Sequence, residues 1–324
     1  MMKTKKKKRG LCLFPLLLLL LGFTLGACNS TPAGEEQTGT DTATEKENQT
    51  TMQQTNEPIA PSTAIRLLSW NIHGYEEGNT AHDQSVLRVL NKLNADLTVL
   101  NESTDQLWEE HPELAETYGW VSTAFGGKYA TGNTILYRRE RFESVSTYTY
   151  CLTDTPTKYS KVPESHHYRF ATFAELRDRL TGRTLTVIGT HLENNSNNKE
   201  IFPERNRARI AQAGHLIRLM REEIPASSAV VLMGDLNGIR DSKPEEYRLG
   251  GITELLESGL LTDIRDLAEQ TDWSGSWAGA DFSFDYILVT PGAFTATRFF
   301  VKQSPEIQNP SDHNPILAVA DYAR

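Results

Sequence analysis

Six apolar runs in this 324-residue chain each meet a polar or charged side chain at one end, and that pattern constrains the fold most. SWNIHG ends a run at Asn71, LTVLNES at Glu102, and GTHLEN at His191. VVLMGDLNG ends at Asp235 and Asn237, FSFDYILV begins at Asp285, and SDHNPILAV begins after Asp312 and His313. Four apolar residues, Val230 to Met233, read as a strand buried on both faces. Strand side chains alternate, so Asp235 and Asn237 share one side if the extended path continues, while Leu236 turns back to the core. Each polar residue taken singly is bland, since Asn at a strand end is usually a turn residue. Together they supply carboxylates, two amides and two imidazoles, a set suited to a hard Mg²⁺-type cation with acid–base groups beside it.

The rest of the pattern alternates strands with helices early and clusters strands later. HDQSVLRVLNKLN (82–94) reads as a helix with Val86, Leu87, Leu90 and Leu93 on one face. STDQLWEEHPELAETY also reads as helical. WVST, NTILYRR and FESVSTYTY read as short strands, and HYRFATFAEL with TLTVIGTHL as an antiparallel hairpin around a Thr-Gly turn. The 202–224 segment is the clearest helix, with Ile210, Ala213, Ile217, Met220 and Ile224 at helical spacing. TRFFVKQ and ILAVADY read as strands. The expected class is α/β, with two mixed sheets packed together and helices outside.

Residues 1–27 read as an export leader: six Lys or Arg, an apolar stretch too short for a comfortable span, and Leu25-Gly26-Ala27 before Cys28. The arrangement resembles a bacterial lipoprotein signal, which implies a lipidated Cys28 and a membrane location with the rest outside the cytoplasm. Residues 28–61 then form an expected disordered tether, rich in Thr, Glu, Gln and Asn and without an aromatic residue. Residues 62–324 are expected to be one domain, near the upper size for a single core. With the basic leader removed, what remains of a chain of net charge −9 is more acidic still. Nonspecific nucleic-acid affinity is mostly electrostatic, so this lowers the odds of such a substrate without excluding one. The three cysteines leave Cys151 alone in the domain, with no internal disulfide open to it.

The six fragments, in this order, resemble the endonuclease/exonuclease/phosphatase superfamily, which includes deoxyribonuclease I, exonuclease III, inositol-polyphosphate 5-phosphatases and neutral sphingomyelinases. The resemblance implies a four-layer α/β sandwich with the site at one edge of the two sheets. It implies Mg²⁺ (or Mn²⁺) held by Glu102, with Asn71 and Asp312 as ligands directly or through water. Asp235 would activate or position the attacking water, and Asn237 and His191 would hold phosphoryl oxygens. His313 would contact the phosphate or assist proton transfer, with Asp285 orienting its ring. The helix with Arg207 and Gln212 follows the His191 strand as the family has it. Two departures stand out: Asn101 replaces a frequent Gln before Glu102, and no acid lies near NTILYRR to partner the histidine until Glu140.

The substrate stays open between a nucleic acid, a phospholipid headgroup and a small phosphoester, handled by a monomer anchored at a membrane through Cys28. TDWSGSWAGADFSF places Trp273, Trp277, Phe282 and Phe284 beside the expected site, where aromatics stack on a base, enter a lipid interface, or simply pack under the strand. His166 and His167 read as loop residues. A catalytically inactive surface-binding lipoprotein on the same fold is the alternative, and the full set of metal and acid–base residue types argues against it.

Overall fold

A computed structural model of the protein describes residues 62–74, 80–103, 106–122, 132–153, 169–194, 201–240, 250–302 and 307–324. The leader, Cys28, the tether and the His166-His167 pair lie outside the described residues. Two sheets form. The first has seven strands in the order β10 (Ala268–Asp272), β12 (Phe294–Val301), β13 (Ile316–Tyr322), β1 (Ile65–Asn71), β2 (Leu97–Ser103), β4 (Gly132–Arg138) and β3 (Tyr118–Val121). The second has six, in the order β5 (Phe142–Cys151), β6 (Phe170–Asp178), β7 (Thr184–His191), β8 (Ala229–Asp235), β11 (Asp285–Val289) and β9 (Thr262–Asp263). Both sheets are mixed: β1 runs parallel to β2 and β7 parallel to β8, while β13, β4, β6 and β11 join antiparallel. The expected hairpin is β6–β7, turning at Gly182 with φ +72°.

Three apolar clusters correspond to the three interfaces of four layers. The central one joins the two sheets, taking Ile65 and Leu67 from β1 and Val231 and Met233 from β8. The alternate residues, Leu68 and Trp70, face α1 (Thr80–Leu93) and the short helices α2 (Gln106–Glu110) and α3 (Leu114–Thr117). Val230 and Leu232 face α4 (Phe202–Glu223) and α5 (Ile252–Glu257). Strands apolar on both faces are therefore strands sandwiched between a sheet and helices. This is the four-layer α/β sandwich expected from the sequence.

Two details differ from the sequence reading. Pro112 falls between α2 and α3, because proline lacks the N–H that a continuous helix needs there. The buried face of α4 is centred on Arg209, Gln212, Ala213, Leu216, Leu219 and Met220. Ile210 is among the most exposed large apolar residues, and Ile224 lies just past the helix end. The polar residues Arg209 and Gln212 had hidden the true face from an apolar count.

Gly234 shows why β8 carries its glycine. Its φ is +146°, and a Cβ there would sit 1.8 Å from the carbonyl oxygen of Thr190 on the neighbouring strand. Gly234→Ala is expected to destabilise the fold by about 3 kcal/mol or more, since both the dihedral and the contact are forbidden to alanine. Chemical denaturation of the two proteins checks this.

Candidate functional site

The register of the sheets turns six scattered sequence positions into two rows. In the seven-stranded sheet Asn71 pairs with Asn101, and Asn101 with Asn133. In the six-stranded sheet His191 pairs with Asp235, and Asp235 with Asp285. Registered neighbours project from the same side of a sheet. An amide row thus meets a titratable row where the parallel strands β1, β2, β7 and β8 end.

Hydrogen bonds tie the rows together. Asn101 is fully buried; its Oδ1 accepts from the Asp235 N–H at 2.8 Å, and its Nδ2 donates to Thr190 O at 3.0 Å and Asn133 Oδ1 at 2.8 Å. The residue that departs from the family's frequent Gln is therefore the cross-sheet tie beneath the site. Asn71 Nδ2 donates to Glu102 Oε1 and to Asp235 Oδ2, both at 3.1 Å, holding two carboxylates at one amide. Its Oδ1 accepts from the His73 N–H at 3.0 Å.

Asp235 and Asn237 do converge, but not by strand alternation. β8 ends at Asp235, and Asn237 has φ +50°. The Asn237 N–H donates to Asp235 Oδ1 at 2.9 Å, an Asx turn that curls the chain and brings the two side chains together. Leu236 is buried in the outer core, as its position predicts. The Asn237 Nδ2 donates to Leu192 O at 3.2 Å and lies 3.1 Å from His191 Nε2.

Glu102 is placed by a bulge. The β2–β4 register slips between Asn101 and Ser103, leaving Glu102 as the extra residue with φ +57°. A bulge re-aims a side chain that regular pleating would send elsewhere, and a non-glycine residue at positive φ holds local strain. Glu102 Oε1 has Asn71 as its partner, whereas Oε2 is buried with no hydrogen-bond partner.

His313 sits between two carboxylates. Its Nδ1 meets Asp285 Oδ2 at 2.7 Å, and its Nε2 lies 3.7 Å from Asp235 Oδ2. The same Asp235 oxygen is 3.5 Å from His191 Nε2. Asp285 is fixed in turn by Ser276, whose hydroxyl donates to Asp285 Oδ2 at 2.7 Å and accepts from the Phe284 and Asp285 N–H groups. Burial opposes the charge on His313, but the Asp285 and Asp235 carboxylates outweigh it and raise its pKa to about 10. Burial pushes Asp235 up, against the pull of His313. Asp285→Asn is therefore expected to bring the His313 pKa back down, since it removes the facing charge and leaves the burial. Titration of the imidazole resonances by NMR reads this directly.

The walls form a cavity of about 430 Å³ lined by Glu102, His191, Asp235, Asn237, Asp312 and His313, together with His73, Asn194, Trp277, Phe282 and Phe284. Every residue expected at the site is thus brought to one cleft, with Asn71 and Asp285 standing just behind its wall. Trp277 packs edge-on against His313 at 4.9 Å between ring centroids. Trp273 does not reach the cleft; it packs on Phe299 under the Arg265 guanidinium. Asp312, expected near the metal, pairs through Oδ1 with His73 Nδ1 at 3.0 Å. His73, Asn101, Asn194 and Ser276 were not read as site residues. Only their adjacency to Asn71, Glu102, His191 and Asp285-bearing segments hinted at them.

The arginine of α4 that reaches the segment after His191 is Arg209. Arg207 is exposed, whereas Arg209 is fully buried and donates from Nη1 to the carbonyls of Glu193 and Asn194, at 3.0 and 3.2 Å. Gln212 Oε1 accepts from the Glu193 N–H at 2.8 Å. Arg209 and Gln212 so clamp the segment that leaves His191.

Among the described residues, the compact cluster of metal-ligating types is Asp235, Asp285 and His313. The 2.7 Å contact of Asp285 with His313 Nδ1 is a hydrogen bond, so this trio is already tied together without a cation. The buried unpartnered Oε2 of Glu102 is the atom that asks for a cation. Glu102 and Asp312 offer only oxygen donors to it, which fits a hard divalent ion.

Residues 68–313 match the sequence model of the Endonuclease/Exonuclease/phosphatase family, and the chain belongs to that family. No curated protein matches the chain. Solved structures of the same fold include an endonuclease/exonuclease/phosphatase family protein from Bacteroides thetaiotaomicron, 17% identical, covering 81% of this chain and 99% of that one at TM-score 0.63. A mannosyl-6-phosphatase from Bacteroides thetaiotaomicron is 17% identical and covers 80% and 100% at TM-score 0.60. D. rerio TDP2 with a single-strand DNA product is 18% identical and covers 80% and 100% at TM-score 0.57. At these identities the likeness concerns the fold.

Proposed function

We propose that the protein is a divalent-metal-dependent phosphoester hydrolase, a phosphodiesterase of nuclease-like or sphingomyelinase-like type. The observation that carries this reading is the convergence of His191, His313 and Asn71 on one Asp235 oxygen, beside the unpartnered Glu102 Oε2. Membership of a family with both phosphatases and nucleases supports it.

Glu102 would hold the cation, with Asp312 and Asn71 completing its shell; when bound, it supplies Lewis acidity and a more acidic water. The remaining chemistry falls to the chain's own side chains. Asp235 accepts the proton of the attacking water; its raised proton affinity suits a base better than an ordinary carboxylate. His313, kept protonated by Asp285, offers Nε2–H to a phosphoryl oxygen or to the departing oxygen. Asn237 and His191 face the same position, where charge builds in the transition state. The Asn237 side-chain amide reaches His191 and Leu192, so phosphate binding exchanges the His191 contact for an oxyanion.

The test is a substrate panel of plasmid DNA, RNA, sphingomyelin, inositol phosphates and bis-p-nitrophenyl phosphate, each with Mg²⁺ and with EDTA. Turnover of none of them would leave the inactive binding module as the better reading. We further propose that Cys28 is the lipidated mature N-terminus and anchors the domain to a membrane outside the cytoplasm, on the strength of the basic, apolar and small-residue sequence before it. Cys28→Ser is expected to shift the protein out of the membrane fraction or to leave it unprocessed. Unchanged fractionation would end the anchor reading.

A further inference from the structure

On the outer face of the seven-stranded sheet one row of side chains crosses four strands. Gln270 pairs with Arg298, Arg298 with Val319, and Val319 with Arg66. Ile65, Leu67 and Phe299 enter the core between the sheets, so the alternating Arg66 and Arg298 take the opposite face. Neighbouring strands lie about 4.8 Å apart, which puts the two arginine backbones about 10 Å apart across the short side chain of Val319. Both arginines line a cavity of about 450 Å³, together with Lys92, Phe300 and Lys302. Among the described residues that line it, Asp272 is the one acid beside Arg66, Lys92, Arg298 and Lys302.

Arg141, Arg177, Arg179 and Arg240 each pair with a carboxylate. Arg66 and Arg298 make no such pair among the described residues. Arg66 Nη2 donates to Leu93 O at 2.7 Å, while its Nε is buried without an acceptor. Arg298 and Lys302 both lie against the Phe300 ring, at 5.6 and 5.3 Å from its centroid, which keeps their charges at the cavity rim. A buried N–H without an acceptor, on the same row as an arginine with no carboxylate partner among the described residues, offers donors to an oxyanion.

We propose that this cavity is a second oxyanion site that takes a phosphate group, either free or as the headgroup of a glycerophospholipid. Arg66 and Arg298 grip the phosphate oxygens, Lys92 and Lys302 add point charge, and Phe300 supports the organic part. Arg66 stands five residues before Asn71 on β1, about 16 Å along the strand, so this phosphate is not the one in the cleft.

Calorimetric titration of the full chain in detergent, with EDTA present, tests the proposal using inorganic phosphate and glycerol 3-phosphate. Wild type is expected to show one site, at this cavity, because chelation removes the cation that would offset the cleft carboxylates Glu102, Asp235 and Asp312. Arg298→Glu, an exposed position that folding tolerates, should lose that site or weaken it at least about tenfold. Arg298→Lys should retain it, and hydrolysis of bis-p-nitrophenyl phosphate by Arg298→Glu should stay within about twofold of wild type. Glycerol 3-phosphate binding about tenfold tighter than phosphate assigns the headgroup as the source; equal affinities assign free phosphate. No site in wild type, or an unaltered site in Arg298→Glu, overturns the proposal.

Discussion

Excess EDTA is expected to abolish phosphoester hydrolysis by this protein, and Mg²⁺ or Mn²⁺ to restore it better than Zn²⁺. The expectation rests on how Glu102 is held. A carboxylate seldom sits at φ +57° on a bulge with one oxygen buried and unpartnered unless something outweighs the strain and the lost hydration. A cation would satisfy Oε2 and relieve the crowding of Glu102 and Asp235 around one Asn71 amide. Glu102 and Asp312 offer oxygens, and no thiolate is among the described residues that line the cleft. Glu102→Gln is expected to move the Mg²⁺ titration to higher concentration and to cut turnover by about 10²-fold. Mn²⁺ binding followed by electron paramagnetic resonance supplies a readout independent of activity. Full activity in EDTA would sink the metal requirement, and an unaltered metal titration in Glu102→Gln would move the cation to the Asp235, Asp285 and His313 cluster instead.

The sequence singled out the residues that the fold gathers at one cleft far better than it told how they are positioned. Strands such as β8 were legible because burial on both faces leaves an unbroken apolar run, and the polar residue that ends the run is conspicuous. The pairing of the runs into rows was not legible, since register is decided by contacts between distant segments. Asp235 and Asn237 were placed together for the wrong local reason, because an Asx turn and an extended path leave the same short pattern. The bulge at Glu102 has no signature beyond Asn-Glu-Ser. Arg209 was missed because a buried guanidinium looks, in sequence, like a solvated one; Arg207 two residues earlier looks the same. Trp273 and Trp277 sit four residues apart in one loop, and only packing sends one to Phe299 and the other to His313.

Replacing either His191 or His313 by alanine is expected to lower turnover by about 10²-fold or more, the scale of a lost acid–base or oxyanion group. Both Nε2 atoms face the same Asp235 oxygen, at 3.5 and 3.7 Å, although the residues come from different sheets. His191 ends β7 in the six-stranded sheet, while His313 precedes β13 in the seven-stranded sheet. If they act on one phosphate, the double variant should lose less than the product of the single losses, because groups working as a unit are not additive. Asp285→Asn should reproduce part of the His313 loss and add to His313→Ala hardly at all, since its effect passes through that ring. Steady-state kinetics on bis-p-nitrophenyl phosphate, with circular dichroism to verify folding, measures each corner of the cycle. Independent, fully multiplicative losses would mean that the two histidines serve different events. The shared Asp235 oxygen would then be a structural ion-pair centre rather than the place where water meets phosphorus.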